Sequence, residues 1–436
     1  MVLRPGLEAA TTGSFDLIYG LLDRPVRLVL HAASFLSVER FERAELRRQI
    51  IEAWGWGERD LDEHLDACAD LHLLEGAEDL RMHRLLADYL TSRAVAADDS
   101  TDVARMRHAQ FQRFVDCGRA VTETPADAET AGRLLVFPAD PATWMNAGVL
   151  PTSADGTTAA LGLLEVGHFE QARPWFERAV TEAEQGDIDG RVDHESLGTS
   201  LHQVGDCYTS IGQFDKARPW FERAVTEAEQ GDIDGRVDHE SLGRSVNLVG
   251  YCYSSTGQFD KARPWYERAV AEAEQGDIHG RVDHASLGRS LHQVGYCYTN
   301  IGQFDKARAS LERAVTEKEH GDIHGRVDHE SLGRSLSLLG SCYTHTGQFD
   351  TARPWFERAV TEAEQGDIHG RVDHESLGTS LHLVGDCYSS AGHFDQARAC
   401  FERAVTEKEH GDIHGRVDHE SLRRSRQALE LVREKD

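Results

Sequence analysis

The residues best suited to chemistry lie in a line that the chain writes six times. One copy reads Asp-Ile-His-Gly-Arg-Val-Asp-His-Glu from Asp322 to Glu330, and versions of it follow Gly186, Gly231, Gly276, Gly366 and Gly411. Imidazole and carboxylate are plausible ligands for a hard or borderline metal ion. A metal shell needs each donor in place, yet His324 is replaced by Asp189 and Asp234 in other copies and Glu330 by Ala285 in another. The line is therefore expected to serve as spacer and cap. Asp193 is well placed as an N-cap, with Glu195 in the first turn complementing the positive end of the helix dipole.

Other catalytic patterns are missing from the sequence. It has no Gly-x-Ser-x-Gly elbow, no CxxC pair for zinc and no GxxxxGK[ST] phosphate cradle. Five of the eight cysteines, Cys207, Cys252, Cys297, Cys342 and Cys387, recur every 45 residues. That regularity suggests packing. Equivalent helices separated by about 10 Å or more would hold these thiols beyond disulfide reach. No catalytic residue, metal or cofactor is expected.

Chemistry of another kind is carried by the residues that vary. Segment 169–191 differs from 214–236 only at Glu170/Asp215 and Gln171/Lys216, so recent duplication explains most of the identity. Three positions, three and four residues apart on one helical stripe, do change. They are Thr199/Arg244/Arg289/Arg334/Thr379, His202/Asn247/His292/Ser337/His382 and Asp206/Tyr251/Tyr296/Ser341/Asp386. The middle copies would present Arg244, Arg289 and Arg334 beside Asn247, His292, Tyr251 and Tyr296. Arg and Tyr are frequent anchors of binding surfaces, and Arg forks pair with carboxylates. An acidic or carboxylate-bearing protein or peptide segment is the expected ligand. Variation also occurs on a second helix, at Trp220/Trp265/Ser310/Trp355/Cys400.

The elements that must position this stripe follow from the same repeat. In Leu201 to Val225, the apolar or small residues Leu201, Val204, Gly205 and Tyr208 fall three and four apart, as one helix face requires. Gly212 breaks that helix, and Phe214, Ala217, Phe221 and Ala224 set out a second. The Pro-Trp pairs at 174, 219, 264 and 354 are expected near its first turn, where proline is best tolerated. One hairpin cannot bury both faces, so stacked copies must supply the core.

This pattern resembles the tetratricopeptide repeat, in the long-repeat branch that includes kinesin light chains and many bacterial signalling proteins. The resemblance covers about the last 270 residues. The 45-residue period exceeds the usual value of about 34. The resemblance implies an all-α fold, a superhelical solenoid of helical hairpins whose concave groove holds extended peptides and carries the variable stripe. Residues 156–436 form the solenoid, closed by a polar capping helix from Asp418 to Asp436, while Thr157 to Gly167 is a degenerate first helix.

Residues 1–100 have helical periodicity and a turn, Gly76 to Asp79, able to join two short strands. They resemble the winged-helix module of STAND and NB-ARC signalling ATPases. Leu80-Arg81-Met82-His83-Arg84 looks like the Met-His-Asp stretch of that class, so the resemblance implies nucleotide sensing at His83. The chain has no phosphate cradle, and an ATPase would have to lie elsewhere, in an ATPase or effector partner. Residues 101–155 are expected to be a helical junction and proline-containing connector.

A net charge of −28 disfavours nucleic acid as a partner, and no apolar run approaches the roughly 20 residues needed to span a membrane. The first residues show no secretion signal, so the expected location is the cytoplasm. The functional expectation is an interaction scaffold or sensor module binding a protein or peptide. The alternative is the regulatory portion of a STAND-type nucleotide-switched ATPase.

Overall fold

The computed structural model describes residues 18–36, 41–82, 86, 87, 89, 90, 97–124, 128–138, 140–186, 190–232 and 234–434. They divide into two compact units, Met1–Gly190 with Asp206–Ile211, and Arg191–Gly205 with Gly212–Asp436. Among the described residues no helix is long and apolar enough to cross a membrane.

In the first unit α1 (Arg24–Ala33), α2 (Arg43–Trp54) and α3 (Glu58–Asp70) accompany three short strands, β1 (Phe41–Glu42), β2 (Leu74–Glu75) and β3 (Asp79–Met82). The strands form one antiparallel arrangement in the order β1-β3-β2, with Phe41 opposite Leu80 and Leu74 opposite Met82. α4 (Ala97–Glu123), α5 (Ala128–Leu134), α6 (Pro141–Asn146), α7 (Ser153–Glu165) and α8 (Phe169–Glu184) complete it. The stretch expected as a connector contributes buried side chains to this unit. Trp144 is fully buried, with its ring 5.2 Å from Phe111, 6.0 Å from Phe114 and 5.4 Å from Phe35. Buried Asp99, at the start of α4, accepts hydrogen bonds from Arg27 at 2.9 Å and Arg24 at 3.2 Å, which balances its charge.

The second unit alternates two helix types. The first type comprises α9 (His194–Ser210), α11 (His239–Ser255), α13 (His284–Asn300), α15 (His329–His345), α17 (His374–Ser390) and a closing α19 (His419–Arg433). Between them run α10 (Phe214–Ala228), α12 (Phe259–Ala273), α14 (Phe304–His320), α16 (Phe349–Ala363) and α18 (Phe394–His410). The recurring line does its work at the joints. Asp277 accepts from the amides of His279 and Arg281 and from the Arg281 side chain, closing a tight turn. Asp283 then caps α13 by accepting from the Ala285 amide.

Within each hairpin a glycine meets a large buried side chain. A Cβ added at Gly250 would fall 2.8 Å from the Tyr266 ring, and at Gly340 or Gly385 it would fall 2.7 Å from Phe356 or Phe401. The helices therefore approach as closely as a bare backbone allows. Tyr266 and Ala262 share one core cluster with Leu291, Val294 and Cys297 of the next helix, so each copy buries its apolar face against its successor. The recurring cysteines are buried free thiols in this packing, and burial pushes Cys297 up to about 12.

The prolines lie deeper than their sequence context suggests. Pro219, Pro264 and Pro354 sit inside α10, α12 and α16. Each ring removes a bond to the carbonyl four residues earlier, which for Pro264 belongs to exposed Asp260, where water can replace it. These three helices end at Ala228, Ala273 and Ala363, whereas α14 and α18, with Ala309 and Ala399 in place of proline, run two residues further to His320 and His410.

In an exposed helix, Gly→Ala stabilises by about 1 kcal/mol. At Gly250 the sign should reverse: Gly250→Ala is expected to cost about 1–3 kcal/mol because the Tyr266 ring must move. Urea unfolding followed by circular dichroism checks this, and a stabilised variant would contradict the close approach.

Candidate peptide-binding face

The variable stripe lies along the first-type helices. Arg244, Arg289 and Arg334 are exposed, while Asn247 and His292 are half-buried. Tyr251 and Tyr296 are 43% and 38% exposed, each edge-on to a phenylalanine of the preceding helix, Phe214 or Phe259, at 5.7 Å.

The structure brings some of these residues together and commits others to internal bonds. Asn247 Nδ2 donates to Ser290 Oγ at 3.0 Å, and His292 Nδ1 lies 3.0 Å from Ser335 Oγ. Ser337 and His382 make the equivalent link to Ser380 and Ser425. The position varies, but these four residues share one task, joining successive first-type helices through a serine. Burial, with Lys318 and Arg334 adding to it, pushes the His292 imidazole down to about 3, so it stays neutral.

Arg244, Asn247 and Arg289 line a cavity of about 250 Å³ between α11 and α13, walled also by Ala269 and Ala273 of α12. Arg334 bonds Glu330 at 3.2 Å within its own helix. Arg289 has Ala285 in the corresponding place and makes no ion pair among the described residues.

Two positions on facing helices decide whether this space is open. Ala273 corresponds to Lys318 in the next copy and to Lys408 three copies later. Lys318 is 5% exposed, and its Nζ donates to the Ser331 carbonyl and to the hydroxyls of Ser331 and Ser335, each at 2.8 Å. Its aliphatic stem fills the space equivalent to the cavity. The counterparts of its serine acceptors, Ser286 and Ser290, line the open cavity instead. One copy earlier, beside Ala228, the space shrinks to about 20 Å³, with His202 standing in the place of Asn247. The exchange of Glu-Ala-Glu-Gln at 272–275 for Glu-Lys-Glu-His at 317–320 was the readable signal for the filled space.

Residues 198–230, 243–275, 288–320 and 378–410 match one tetratricopeptide repeat profile, and residues 335–367 match another. These five hairpins are tetratricopeptide repeats. No curated protein matches the chain. Among solved structures, BtubC (BKLC) from P. vanneervenii is 20% identical, covers 55% of this chain and 91% of its own, and has a TM-score of 0.46. A Podosopora anserina protein assigned as a kinesin light chain, with nearly identical TPR-like repeats, is 23% identical over 50% of this chain and 97% of its own, with a TM-score of 0.39. YrrB, a TPR protein with an unusual peptide-binding site, is 13% identical over 58% of this chain and 97% of its own, with a TM-score of 0.35.

Arg244, Asn247, Tyr251, Arg289, His292 and Tyr296 lie within the matched segments, and Arg334 immediately precedes the segment 335–367. His83 lies outside the described residues.

Lys318 supplies a test of the filled space. Burial, reinforced by Arg334 and Arg289 against an opposing Asp328, pushes its amine from 10.5 down to about 7. Between those values the unfolded chain binds the extra proton, so this group makes stability rise with pH, and its penalty is greatest below about 7. Lys318→Met, which keeps the stem and removes the charge, should be more stable than the parent at pH 7 by roughly 1 kcal/mol or more, with the advantage shrinking toward pH 10. Urea unfolding at both pH values measures it. An advantage independent of pH would contradict a buried, titrating ammonium.

Proposed function

We propose that the chain is a protein-protein interaction scaffold or sensor module that takes an extended, acidic or carboxylate-bearing peptide on the variable face of its tetratricopeptide repeats. The observation that carries this reading is the cavity of about 250 Å³ lined by Arg244, Asn247 and Arg289. An apolar or hydroxyl-seeking side chain of the peptide enters beside Ala273, while its carboxylates pair with the two guanidinium groups. Tyr251 and Tyr296 flank the peptide, and His292 and Arg334 extend the face into the next repeat.

The wider setting we infer is a cytoplasmic signalling system. Helices α1 to α3 followed by the β2-β3 hairpin support reading residues 1–100 as a winged-helix-like module, with an ATPase or effector as a further partner.

The chain itself offers a conservative way to close the cavity. Ala273→Lys reproduces the side chain that already occupies the equivalent space at Lys318. A panel of acidic, extended fluorescent peptides should bind the parent, with affinity at least about tenfold weaker for Ala273→Lys and for Arg244→Glu/Arg289→Glu, an effect of about 1.4 kcal/mol. Fluorescence anisotropy reads the affinity, and circular dichroism verifies that the variants melt as the parent does. Equal binding by all three proteins would place recognition away from this face.

A further inference from the structure

We propose that two of the tetratricopeptide hairpins each bind a zinc ion, one through His284, Glu317 and His320 and the other through His374, Glu407 and His410. In each set, one donor atom of every residue lies within 4.8 Å of the other two. The first histidine opens the first-type helix, and the other two residues lie in the last turn of its partner helix. A bound ion would clamp the two ends of one hairpin.

The local bonding prepares these side chains for a metal. His320 Nδ1 lies 2.8 Å from the Thr316 carbonyl, and His410 Nδ1 lies 2.9 Å from that of Thr406. A carbonyl only accepts, so Nδ1 carries the proton and Nε2 keeps its lone pair for an ion. His284 Nδ1 lies 2.7 Å from Glu317 Oε2, and His374 Nδ1 lies 2.8 Å from Glu407 Oε2, a separation at which a cation can replace the shared proton and take both atoms as ligands. The two rings of each set stand 5.0 and 5.1 Å apart. Arg313 and Arg403 approach the other oxygen of Glu317 and Glu407 only to 3.7 and 3.6 Å.

The remaining repeats act as internal controls. His194-Glu227, His239-Glu272 and His329-Glu362 form the same pair, but Gln230, Gln275 and Gln365 stand where the second histidine would be. The histidine-glutamate pair is thus a general feature of the repeats, whereas the second imidazole arrives only in α14 and α18. Those are the two helices whose extra length carries His320 and His410 within the helix. Two imidazoles and a carboxylate with room for water suit zinc, whereas magnesium prefers oxygen donors.

The test uses the full chain, stripped of metal with a chelator and titrated with zinc sulfate by calorimetry, with bound metal counted by mass spectrometry. Parent protein should bind about two ions per chain at these clusters, His320→Gln about one, and His320→Gln/His410→Gln none at comparable affinity. Glutamine already occupies the equivalent position in three repeats, so folding should be preserved, and circular dichroism checks it. Zinc binding unchanged in the double variant, no binding by the parent, or equal binding of magnesium would each overturn the proposal.

Discussion

The rest of the repeat unit depends on one close approach, a backbone glycine of one helix set against a large buried side chain of its partner. Phe221, Tyr266, Phe356 and Phe401 face Gly205, Gly250, Gly340 and Gly385, and Leu311 faces Gly295. Because no Cβ separates the helices, the distance within a hairpin is set by ring thickness. The other face of the same ring helix is left to pack on the following copy, as the cluster of Tyr266 with Leu291 and Val294 shows. Burial therefore couples neighbouring copies as well as closing each hairpin, which is the physical basis of a repeat array.

With that spacing set, a modest exchange at the end of the ring helix has consequences for the surface. Where the residue is Lys318, the stem fills the space between successive first-type helices and the amine finds serine acceptors. Where it is Ala273, the space is open and bordered by arginines. The same two versions differ in helix length, in proline content and in whether a histidine joins the His-Glu pair. Near-identical copies thus provide two different local chemistries on one scaffold.

Surface bonds reinforce this stacking without determining it. Arg218 lies over the ring of Tyr253 at 4.9 Å, and Arg263 over Tyr298 at 5.6 Å, each bridging one ring helix to the next copy. Arg268 reaches back to Glu229 and Arg313 to Glu274, both at 2.5 Å. Exposed pairs of this kind contribute about 0–1 kcal/mol each, so they tune register more than they hold the array together.

The sequence by itself determined the period, the hairpins and their caps, because these are local: apolar spacing, a breaking glycine and an aspartate before each first-type helix act within a few residues. It also marked which positions vary. Tertiary structure alone decided what the variation means. Asn247 and His292 are tied to serines 43 residues away, a relation that no local spacing reveals. Trp144 became a core residue through contacts with Phe35 and Phe111, despite its proline-rich surroundings. The cavity arises where three helices meet and one of them ends in alanine instead of lysine. Local pattern dictates which way a side chain faces, whereas what it meets there depends on residues supplied by the neighbouring copy.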